Sequence, residues 1–346
     1  MADAAIAKTK IGVLGASGYT GAELCALMAN HPKATLTGLF SGSQGEEKTF
    51  DALHPSLARK QGPAVQSFQL EKLFAGLPDC VFLATPNEIS AELVPSLLEK
   101  GLAVIDLSGA YRLKKAEQYF RWYGFSHPKP ELLEEAVYGL PEWCNGSLNG
   151  CRLVANPGCY PTSILLALKP LAVLVDFTQP VICDSKSGVS GAGKKKDFSY
   201  SFGEITGNFK AYGIGTHRHE PEIRQELGLP LAAPFTFVPH LLPIFRGLFS
   251  TIYVTFKKPT DAKAITETYQ SVYQNTPFVR IHPAGCLPEL KNVIGTPRAE
   301  VGFIISSEGR QAVIVSVLDN LLKGAASQAM QNFNRLFDFP ETLGLM

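Results

Sequence analysis

The chain has 346 residues, 45% of them hydrophobic and 18% charged, a composition typical of folded globular proteins. Its 32 basic and 31 acidic residues leave a net charge of +1, which gives no overall field for nucleic acid or an anionic membrane. No apolar run approaches the roughly 20 residues of a membrane span, and the first ten residues are too short for a signal peptide. Seven scattered cysteines without a CxxC pair argue against disulfides and a zinc site, so we expect a cytoplasmic protein without a metal.

The first 155 residues are predicted to form a doubly wound α/β domain. Short apolar strands alternate there with helices, the pattern of βαβ units and a parallel sheet. The predicted strands are 10–14, Thr35–Phe40, Asp79–Leu83 and Ala103–Leu107, and the predicted helices are Tyr19–Ala29 and Ile89–Lys100. Residues 1–155 are therefore interpreted as a Rossmann-type, dinucleotide-binding domain.

Residues 156–320 are predicted to form an α+β catalytic domain with a mixed sheet, because several strands follow one another without a helix between them. A helix over Thr162–Val175 precedes strands at Val181–Ser185, Thr236–Pro239, Phe249–Phe256, Gly302–Ser306 and Ala312–Leu318. Residues 321–346, whose helical pattern covers Leu321–Phe337, can pack on either domain, including back on the first.

Four glycines stand at intervals of three directly after the first strand, in the segment GVLGASGYTG. Glycines at a strand-to-helix turn let the backbone approach a pyrophosphate, which the start of the helix attracts. The spacing is GxxGxxG rather than GxGxxG, and an ordinary glycine-rich turn is the alternative. The turn predicts a cofactor site formed by Gly15, Ala16, Ser17, Gly18, Tyr19, Thr20 and Gly21.

The second strand ends without the carboxylate that NAD-binding domains place on the ribose 2′-hydroxyl. Its tip reads Ser41-Gly42-Ser43-Gln44, and the first acidic residue is Glu46. Hydroxyl groups at Ser41 and Ser43, with Lys48 as a counter-charge, suit the 2′-phosphate of NADP. We therefore expect NADP as the cofactor, and a solvated loop is the alternative reading of these residues.

Cys159 lies in the segment NPGCYPTS, where Pro-Gly predicts a turn and Pro161 favours the first turn of a helix. The dipole at a helix N-terminus favours the thiolate, which is the form of cysteine that attacks acyl carbon. The other six cysteines are interpreted as packing residues. Cys159 is predicted to be a nucleophile.

A nucleophilic cysteine needs a proton-transfer partner, and His217 and His219 in the segment THRHEPEI are the candidates. Residues two apart in an extended loop face the same side, so both histidines are expected to reach one cleft with Arg218 turned away. His219 precedes a helix and is predicted to be the acid–base partner, while His217 binds or orients the substrate. The alternatives are that one of them only packs, or that H-x-H binds a metal.

A second loop, Ser185–Lys196, contains small residues, hydroxyl groups and lysines. Successive backbone N–H groups in such a loop form an anion nest. The loop is not a P-loop, because GxxxxGK[ST] is not matched. A phosphate site formed by Ser187, Ser190 and Lys194 is predicted, and a flexible solvated loop is the alternative.

Seven blocks of the sequence resemble, in order, those of the N-acetyl-γ-glutamyl-phosphate reductase family of aspartate-semialdehyde dehydrogenase-like enzymes: GASGYTG, DLSGAYRL, YGLPE, NPGCYPT, SGVSGAGK, HRHEPEI and DNLLKGAASQAMQN. The resemblance implies NADPH-dependent reduction of N-acetyl-L-glutamyl 5-phosphate to the 5-semialdehyde and phosphate, through a Cys159 thioester, in arginine biosynthesis. It places Asn320 by the nicotinamide. Ser187 and Gly188 are also expected to contact the cofactor, and Arg112 a substrate anion. We further expect a homo-oligomer, dimer or tetramer, with no nucleic-acid or membrane partner.

Other functions remain as alternatives. A lysine-pathway reductase acting on a carrier-protein-bound substrate looks similar, and an aspartyl-phosphate reductase shares the fold but has its catalytic histidine in a later block. A catalytically silent NADP-sensing protein and a thiol hydrolase belong to other classes. A silent sensor need not keep Cys159, the HRH segment and the Ser187–Lys194 loop, and all three are present.

Overall fold

The structure, a computed structural model, describes residues 8–42, 47–57, 63–144, 146, 148, 150–194 and 198–346. The chain divides into two compact units. The first consists of Met1–Phe120, Phe125–Pro157 and Ala325–Met346, and the second of Arg121–Gly124 and Gly158–Gly324. The last segment of the chain therefore returns to the first unit.

The described residues form two sheets of seven strands each. The strands of the first sheet are β1 (Thr9–Leu14), β2 (Ala34–Ser41), β3 (Val65–Ser67), β4 (Cys80–Leu83), β5 (Ala103–Asp106), β6 (Val137–Tyr138) and β7 (Leu153–Ala155). The strands of the second are β8 (Val181–Gly188), β9 (Lys210–Ala211), β10 (Phe235–Leu242), β11 (Leu248–Thr255), β12 (Val279–Ile281), β13 (Ala299–Ile305) and β14 (Gln311–Leu318). The α-helices in the same residues are α1 (Tyr19–Ala29), α2 (Phe50–Leu53), α3 (Leu70–Ala75), α4 (Asn87–Glu99), α5 (Glu117–Tyr123), α6 (Leu132–Glu135), α7 (Cys159–Leu168), α8 (Phe202–Ile205), α9 (His219–Glu226), α10 (Ala262–Tyr273) and α11 (Ser327–Leu336).

The first sheet has the order β3-β2-β1-β4-β5-β7-β6, and each neighbouring pair in it is parallel. All residues of β4 are buried, as are the last four of β1, which is typical of central strands in a parallel sheet. β1 ends at Leu14 and α1 begins at Tyr19, so the glycine turn lies at the carboxyl edge of the sheet, where ligands of such folds bind.

The second sheet is mixed, in the order β12-β13-β14-β11-β8-β10-β9. The pairs β8–β10 and β12–β13 are parallel, and the others are antiparallel. Helix α7 packs on its central strands, because Ser163 Oγ lies 3.0 Å from the hydroxyl oxygens of Ser250 and Ser316, all three fully buried. Together the two sheets confirm the predicted fold class.

Two helices differ from the prediction. The predicted helix over Thr162–Val175 ends as a 3-10 turn at Pro170–Val173, because Pro170 has no N–H for an α-helical hydrogen bond. The predicted helix over Leu321–Phe337 opens as a π-helical turn at Leu322–Ala326 before it becomes α11. Such turns are rare and occur frequently at functional sites.

Helix α11 and the residue before it complete the apolar core of the first unit. Ala326, Ala329, Met330 and Phe333 are fully buried in a cluster that also contains Ile11, Val13 and Phe82. In the parts of the chain that are described, no helix has the length and apolar character needed to cross a membrane. The same parts contain no cluster of three His, Cys, Asp or Glu side chains able to hold a metal ion.

Candidate active site

A cleft of about 440 Å³ in the second unit surrounds the start of α7. Its lining residues include Cys159, Ser187, His217, His219 and the two cations Lys210 and Arg218. None of the described residues that line it is Asp or Glu. The cleft therefore combines a thiol, two imidazoles and positive charge.

Cys159 is the first residue of α7 and is half-buried. Gly158 before it is extended, with φ −71° and ψ 158°, and provides no side chain to cap the helix. The backbone N–H groups of the first turn and the positive end of the helix dipole favour a thiolate at this position. Cys159 thus has the location that the NPGC segment predicts.

A buried carboxylate that sequence reasoning missed holds the start of this helix. Glu222 Oε1 accepts a hydrogen bond from the backbone N–H of Gly158 at 2.9 Å, and Glu222 is fully buried. Glu222 lies on α9, three residues after His219, which puts both side chains on neighbouring positions of one helix face. The three-residue spacing between His219 and Glu222 was the only signal in the sequence for a role of Glu222 near the cleft.

The second histidine opens a helix rather than lying in an extended loop, which corrects the prediction. Helix α9 begins at His219 itself, and Arg218 before it has helical angles of φ −57° and ψ −16°. Both histidines line the cleft, as predicted, but so does Arg218, which was predicted to turn away. A helical start rotates successive residues by about 100° rather than 180°, so the alternation of a strand does not apply.

His217 is packed among aromatic rings and is neutral near pH 7. Its ring meets the rings of Tyr160 and Tyr212 edge-on, with centroids 5.6 and 5.5 Å away. Burial, with a smaller contribution from Arg218, lowers the pKa of His217 to about 4. Its Nδ1 accepts a hydrogen bond from the backbone N–H of His219 at 3.1 Å, so the neutral ring carries its proton on Nε2.

Because His217 is neutral and packed among aromatic rings, His219 is the histidine of this pair that remains the candidate for the acid–base role. It is buried, and its ring centroid lies 4.8 Å from that of His217 and 5.9 Å from that of Tyr160. The hydrogen bond from its backbone N–H fixes the orientation of the His217 ring relative to the start of α9.

Three tyrosines outside the predicted set also line the cleft: Tyr160, Tyr200 and Tyr212. The Tyr160 hydroxyl donates to the carbonyl of His240 at 3.1 Å and lies 3.2 Å from the Tyr212 hydroxyl, which therefore donates to it. Burial raises the pKa of Tyr160 far above its usual value and that of Tyr212 to about 12, so both are neutral phenols. Tyr160 follows Cys159 directly, whereas nothing in the sequence marks Tyr212.

The prediction of an anion nest in the Ser185–Lys196 loop is wrong for residues 188–190. The backbone N–H groups of residues 188–190 donate to carbonyls within residues 244–247 at 2.9–3.0 Å. Val189–Ala192 forms a 3-10 turn instead of a nest. The N–H groups of residues 188–190 are therefore not available to an anion.

The side chains of that loop are divided between two surroundings. Ser187 and Gly188 line the cleft, whereas the Ser190 hydroxyl accepts a hydrogen bond from Asn320 Nδ2 at 3.0 Å. Asn320 Oδ1 accepts from the backbone N–H of Gly247 at 2.6 Å, so both ends of this buried amide are used within the protein. Ser190, Asn320 and the exposed Lys194 are absent from the described lining of the cleft.

Arg112 lies in the first unit, and its guanidinium joins the segment that follows β5 to the segment that follows β7. Its Nε donates to the carbonyl of Asn156, and its Nη2 donates to that of Leu107, each at 2.9 Å. Asn156 Oδ1 in turn accepts from Asn332 Nδ2 at 3.0 Å. These contacts give the buried Arg112 a structural role, and its contact with a substrate anion stays a prediction.

The glycine turn of the first unit fits a dinucleotide pyrophosphate. Gly15 has φ +86°, and a Cβ there would collide with the carbonyl of Ala84, while a Cβ at Gly21 would collide with Gly15. A Cβ at Gly18, the residue before α1, would meet only the Gly15 carbonyl oxygen at 3.4 Å. The first turn of α1 has no acidic residue and no side-chain cap, which leaves this helix start open to an anion.

The other cofactor residues predicted in the first unit belong to the glycine turn, the start of α1 and the end of β2. Ala16 and Ser17 precede α1, and Tyr19 and Thr20 are its first two residues. Ser41 is the last residue of β2 and is buried, and Ser43 lies outside the described residues. Gly12 differs from the other glycines, because it lies inside β1, where a Cβ would be 2.7 Å from Leu73 Cδ1.

Comparisons with known families and structures agree with this architecture. Residues 10–150 match the semialdehyde dehydrogenase NAD binding domain, and residues 159–320 match the semialdehyde dehydrogenase dimerisation domain. The aspartate semialdehyde dehydrogenase of Candida albicans, solved with NADP, has the same fold with a TM-score of 0.68 at 17% identity. The alignment covers 96% of this chain and 99% of that one.

Curated relatives match almost the whole chain. The N-acetyl-gamma-glutamyl-phosphate reductase of Shouchella clausii (strain KSM-K16) is 44% identical over 338 residues, which cover 97% of this chain and 98% of the relative. That of Halorhodospira halophila (strain DSM 244 / SL1) is 46% identical over 343 residues, 97% of each chain. These identities confirm the resemblance carried by the seven sequence blocks, and with it the prediction of an oxidoreductase. The chain belongs to the N-acetyl-gamma-glutamyl-phosphate reductase family.

Proposed function

We propose that this chain reduces N-acetyl-L-glutamyl 5-phosphate to N-acetyl-L-glutamate 5-semialdehyde and phosphate with NADPH, as a step of arginine biosynthesis. The names of the relatives support this reaction. The observation that carries the proposal is the cleft that unites Cys159, at the start of α7, with His217 and His219. A thiol nucleophile with an adjacent acid–base group is what acyl transfer requires.

Cys159 performs the acyl transfer. Its sulfur attacks the acyl carbon, the bond from that carbon to the phosphate oxygen breaks, and phosphate leaves with the bonding electrons and takes a proton from solvent. A thioester remains on Cys159. The backbone N–H groups at the start of α7 are donors for the negative charge that develops on the acyl oxygen.

His219 moves the proton at the sulfur. It takes the thiol proton of Cys159 before acylation and returns it as the carbon–sulfur bond breaks and the aldehyde forms. When bound, NADPH supplies the hydride that reduces the thioester carbon. His217, kept neutral by burial, orients the substrate with its Nε2–H group.

The positive charge of the cleft suits a substrate with two anionic groups, a phosphate and a carboxylate. We assign the carboxylate to Arg218, because a planar guanidinium binds a carboxylate through two parallel hydrogen bonds. The phosphate is assigned to Lys210 together with the predicted contacts Ser187, Ser190 and Lys194. Lys210 and Ser187 line the cleft, whereas Ser190, which is held by Asn320, and Lys194 lie outside its described lining and are assigned from the sequence prediction alone.

We assign NADP to the first unit, with its pyrophosphate on the Gly15–Gly21 turn. The shape of the glycine turn supports the assignment. Preference for NADP over NAD is supported by Ser41 and Gly42, since neither of these residues at the end of β2 is a carboxylate that would repel the 2′-phosphate.

The reverse assay tests the function. The protein is given N-acetylglutamate semialdehyde, NADP and phosphate, and NADPH absorbance is followed, with aspartate semialdehyde as the competing substrate. We expect turnover that requires phosphate and strongly favours the acetylated substrate. Turnover of aspartate semialdehyde alone, or NADP binding without turnover, would overturn the proposal.

We also propose that the chain forms a homo-oligomer, a dimer or a tetramer, through the face of the second sheet that carries Ile182, Tyr253 and Ile304. These apolar side chains on β8, β11 and β13 are exposed by 39%, 43% and 42%. A second copy is the proposed occupant, which the match to a dimerisation domain supports.

Tyr253→Glu is expected to yield monomers in light scattering, whereas the control Val173→Glu, at an exposed apolar residue elsewhere in the unit, is not. A monomeric wild type would overturn this.

A cytoplasmic location is proposed on the chemistry of the cysteines. All seven are free thiols, the state maintained in a reducing compartment. Cell fractionation tests the location, and recovery outside the cytoplasm would contradict it.

A further inference from the structure

Gly324 lies directly against the proposed nucleophile. A Cβ built on Gly324 would be 2.7 Å from Cys159 Cβ, 3.2 Å from Leu318 Cδ1 and 3.3 Å from the Asp319 carbonyl oxygen. Two carbons in contact prefer about 3.5–4.0 Å. Gly324 does not have a positive φ, so the requirement for glycine here is steric. Any side chain at this position must displace Cys159 or the backbone that carries Gly324.

The segment that ends at Gly324 is anchored at its beginning. The Gly324 N–H donates to the Asp319 carbonyl at 2.9 Å. The fully buried Asp319 carboxylate accepts from the N–H groups of Leu321 at 2.9 Å and Gly295 at 2.7 Å. Arg246 Nε lies 3.0 Å from Asp319 Oδ2, an ion pair in which Asp319 is fully buried and the Arg246 side chain is 20% exposed. The position of Gly324 is therefore set by the surroundings of Asp319.

The same segment also contacts the loop that begins at Ser187. Asn320 bridges the Ser190 hydroxyl and the backbone N–H of Gly247. Arg246 itself lies against Gly188, where a Cβ would come within 2.9 Å of its backbone. The segment Asp319–Gly324 thus contacts Cys159 near its end, at Gly324, and Ser190 near its beginning, at Asn320.

We propose that Gly324 and the Arg246–Asp319 ion pair are positioning residues that fix Cys159 relative to the Ser187–Ser190 turn. This inference rests on the proposed acyl transfer at Cys159. A displacement of about 1 Å at a reacting atom can lower a rate by about 100-fold. The close packing of Gly324 therefore contributes to the rate of acylation rather than to the binding of substrate or cofactor.

The test compares Gly324→Ala with Gly203→Ala. Gly203 is an exposed glycine of α8 in the same unit, and a Cβ there meets nothing within 4 Å. We expect Gly324→Ala to lower kcat about 10–100-fold with little change in the KM values, and Gly203→Ala to match the wild type. The rate of Cys159 alkylation by iodoacetamide, read by mass spectrometry, is expected to change in Gly324→Ala alone. A Gly324→Ala protein with wild-type kcat and alkylation rate would overturn the proposal.

Arg246 provides a second test if Gly324→Ala does not fold. Arg246→Gln removes the ion pair without placing any atom near Cys159, and Arg246→Lys retains the charge. We expect Arg246→Gln to alter the alkylation rate of Cys159 and to lower kcat, and Arg246→Lys to restore both in large part. Equal behaviour of the two variants would contradict the positioning role. The alkylation rate reports on Cys159 even if the proposed reaction proves wrong, so the two failures are distinguishable.

Discussion

The backbone N–H of Gly158 donates a hydrogen bond to Glu222 Oε1 at 2.9 Å, which joins the start of α7 to α9. Helix α7 begins with Cys159 and helix α9 with His219, so this one bond couples the positions of both side chains. A carboxylate near a helix N-terminus also interacts favourably with the helix dipole. The proposed nucleophile and its acid–base partner are thus held by helix ends.

Replacement of the nucleophile should abolish turnover and leave cofactor binding intact. We expect no measurable reduction by Cys159→Ser, because a serine hydroxyl has no comparable anionic form at neutral pH. Wild type incubated with the acyl phosphate and no NADPH should carry a thioester on Cys159 in mass spectrometry. Cys286→Ser is the control, since Cys286 is exposed and does not line the cleft. An adduct on another cysteine would refute the assignment.

The two histidines should differ in kinetics. His219→Asn is expected to reduce kcat by about 10²–10⁴, the usual span for one acid–base group. His217→Asn should mainly raise the KM of the aldehyde substrate, because His217 is neutral and its proton lies on Nε2. Steady-state kinetics in the reverse direction measures both. The opposite pattern would exchange the two roles.

His217 should also make the protein less stable in mild acid. Its pKa is lowered from 6.5 to about 4, so between these values the unfolded chain binds a proton that the folded protein does not. The free energy of unfolding should therefore fall as pH decreases from 6.5 to 4, by on the order of 2–3 kcal/mol from this residue. Urea unfolding of wild type and His217→Asn at several pH values measures this. The free energy of unfolding of the wild type minus that of His217→Asn should decrease toward pH 4. A difference that does not depend on pH would contradict the prediction.

An acidic residue at the end of β2 should reverse the preference for NADP. Ser41→Asp is expected to weaken NADP binding relative to NAD, because the carboxylate repels a 2′-phosphate and accepts a hydrogen bond from a 2′-hydroxyl. Thr35→Asp adds the same charge near the other end of β2 and serves as the control. Direct titration with both cofactors gives the ratio of dissociation constants. A wild type that already prefers NAD would sink this prediction.

The role of Arg218 can be tested with a substrate that lacks the carboxylate. Arg218→Gln should raise the KM of N-acetylglutamate semialdehyde about 10–100-fold, the effect of losing a hydrogen bond between charged groups. The decarboxylated analogue, N-acetyl-γ-aminobutyraldehyde, should show little change in its KM. Lys263→Gln is the control, with its side chain 81% exposed on α10. An equal effect on both aldehydes would argue against a carboxylate contact.

Sequence reasoning predicted the parts of the fold that depend on local pattern. The bounds Tyr19–Ala29 of α1 were predicted correctly, because Gly18 and the His31-Pro32 pair mark its ends. Pro-Gly and Pro161 likewise placed Cys159 at a helix N-terminus, although the predicted helix began three residues later, at Thr162. These signals lie within a few residues of the feature they specify.

What the sequence did not reveal depends on partners that are distant in the chain. The N–H groups of residues 188–190 bond to residues 244–247, and no local signal in the Ser187 loop indicates that pairing. Glu222 holds the start of a helix that lies far earlier in the chain, with a separation of 64 positions from Gly158. The contact between Gly324 and Cys159 likewise requires the three-dimensional structure.

The return of residues 325–346 to the first unit has a consequence for synthesis on the ribosome. At about 5–20 residues per second, translation needs roughly 10–30 s to pass from Pro157 to Ala325. During this time the nascent first unit lacks Met330 and Phe333, which belong to its core, and exposes the apolar surface they later cover. The second unit is almost continuous in the chain, so we expect it to complete its folding first. The first unit is expected to need protection by chaperones until α11 has been synthesised.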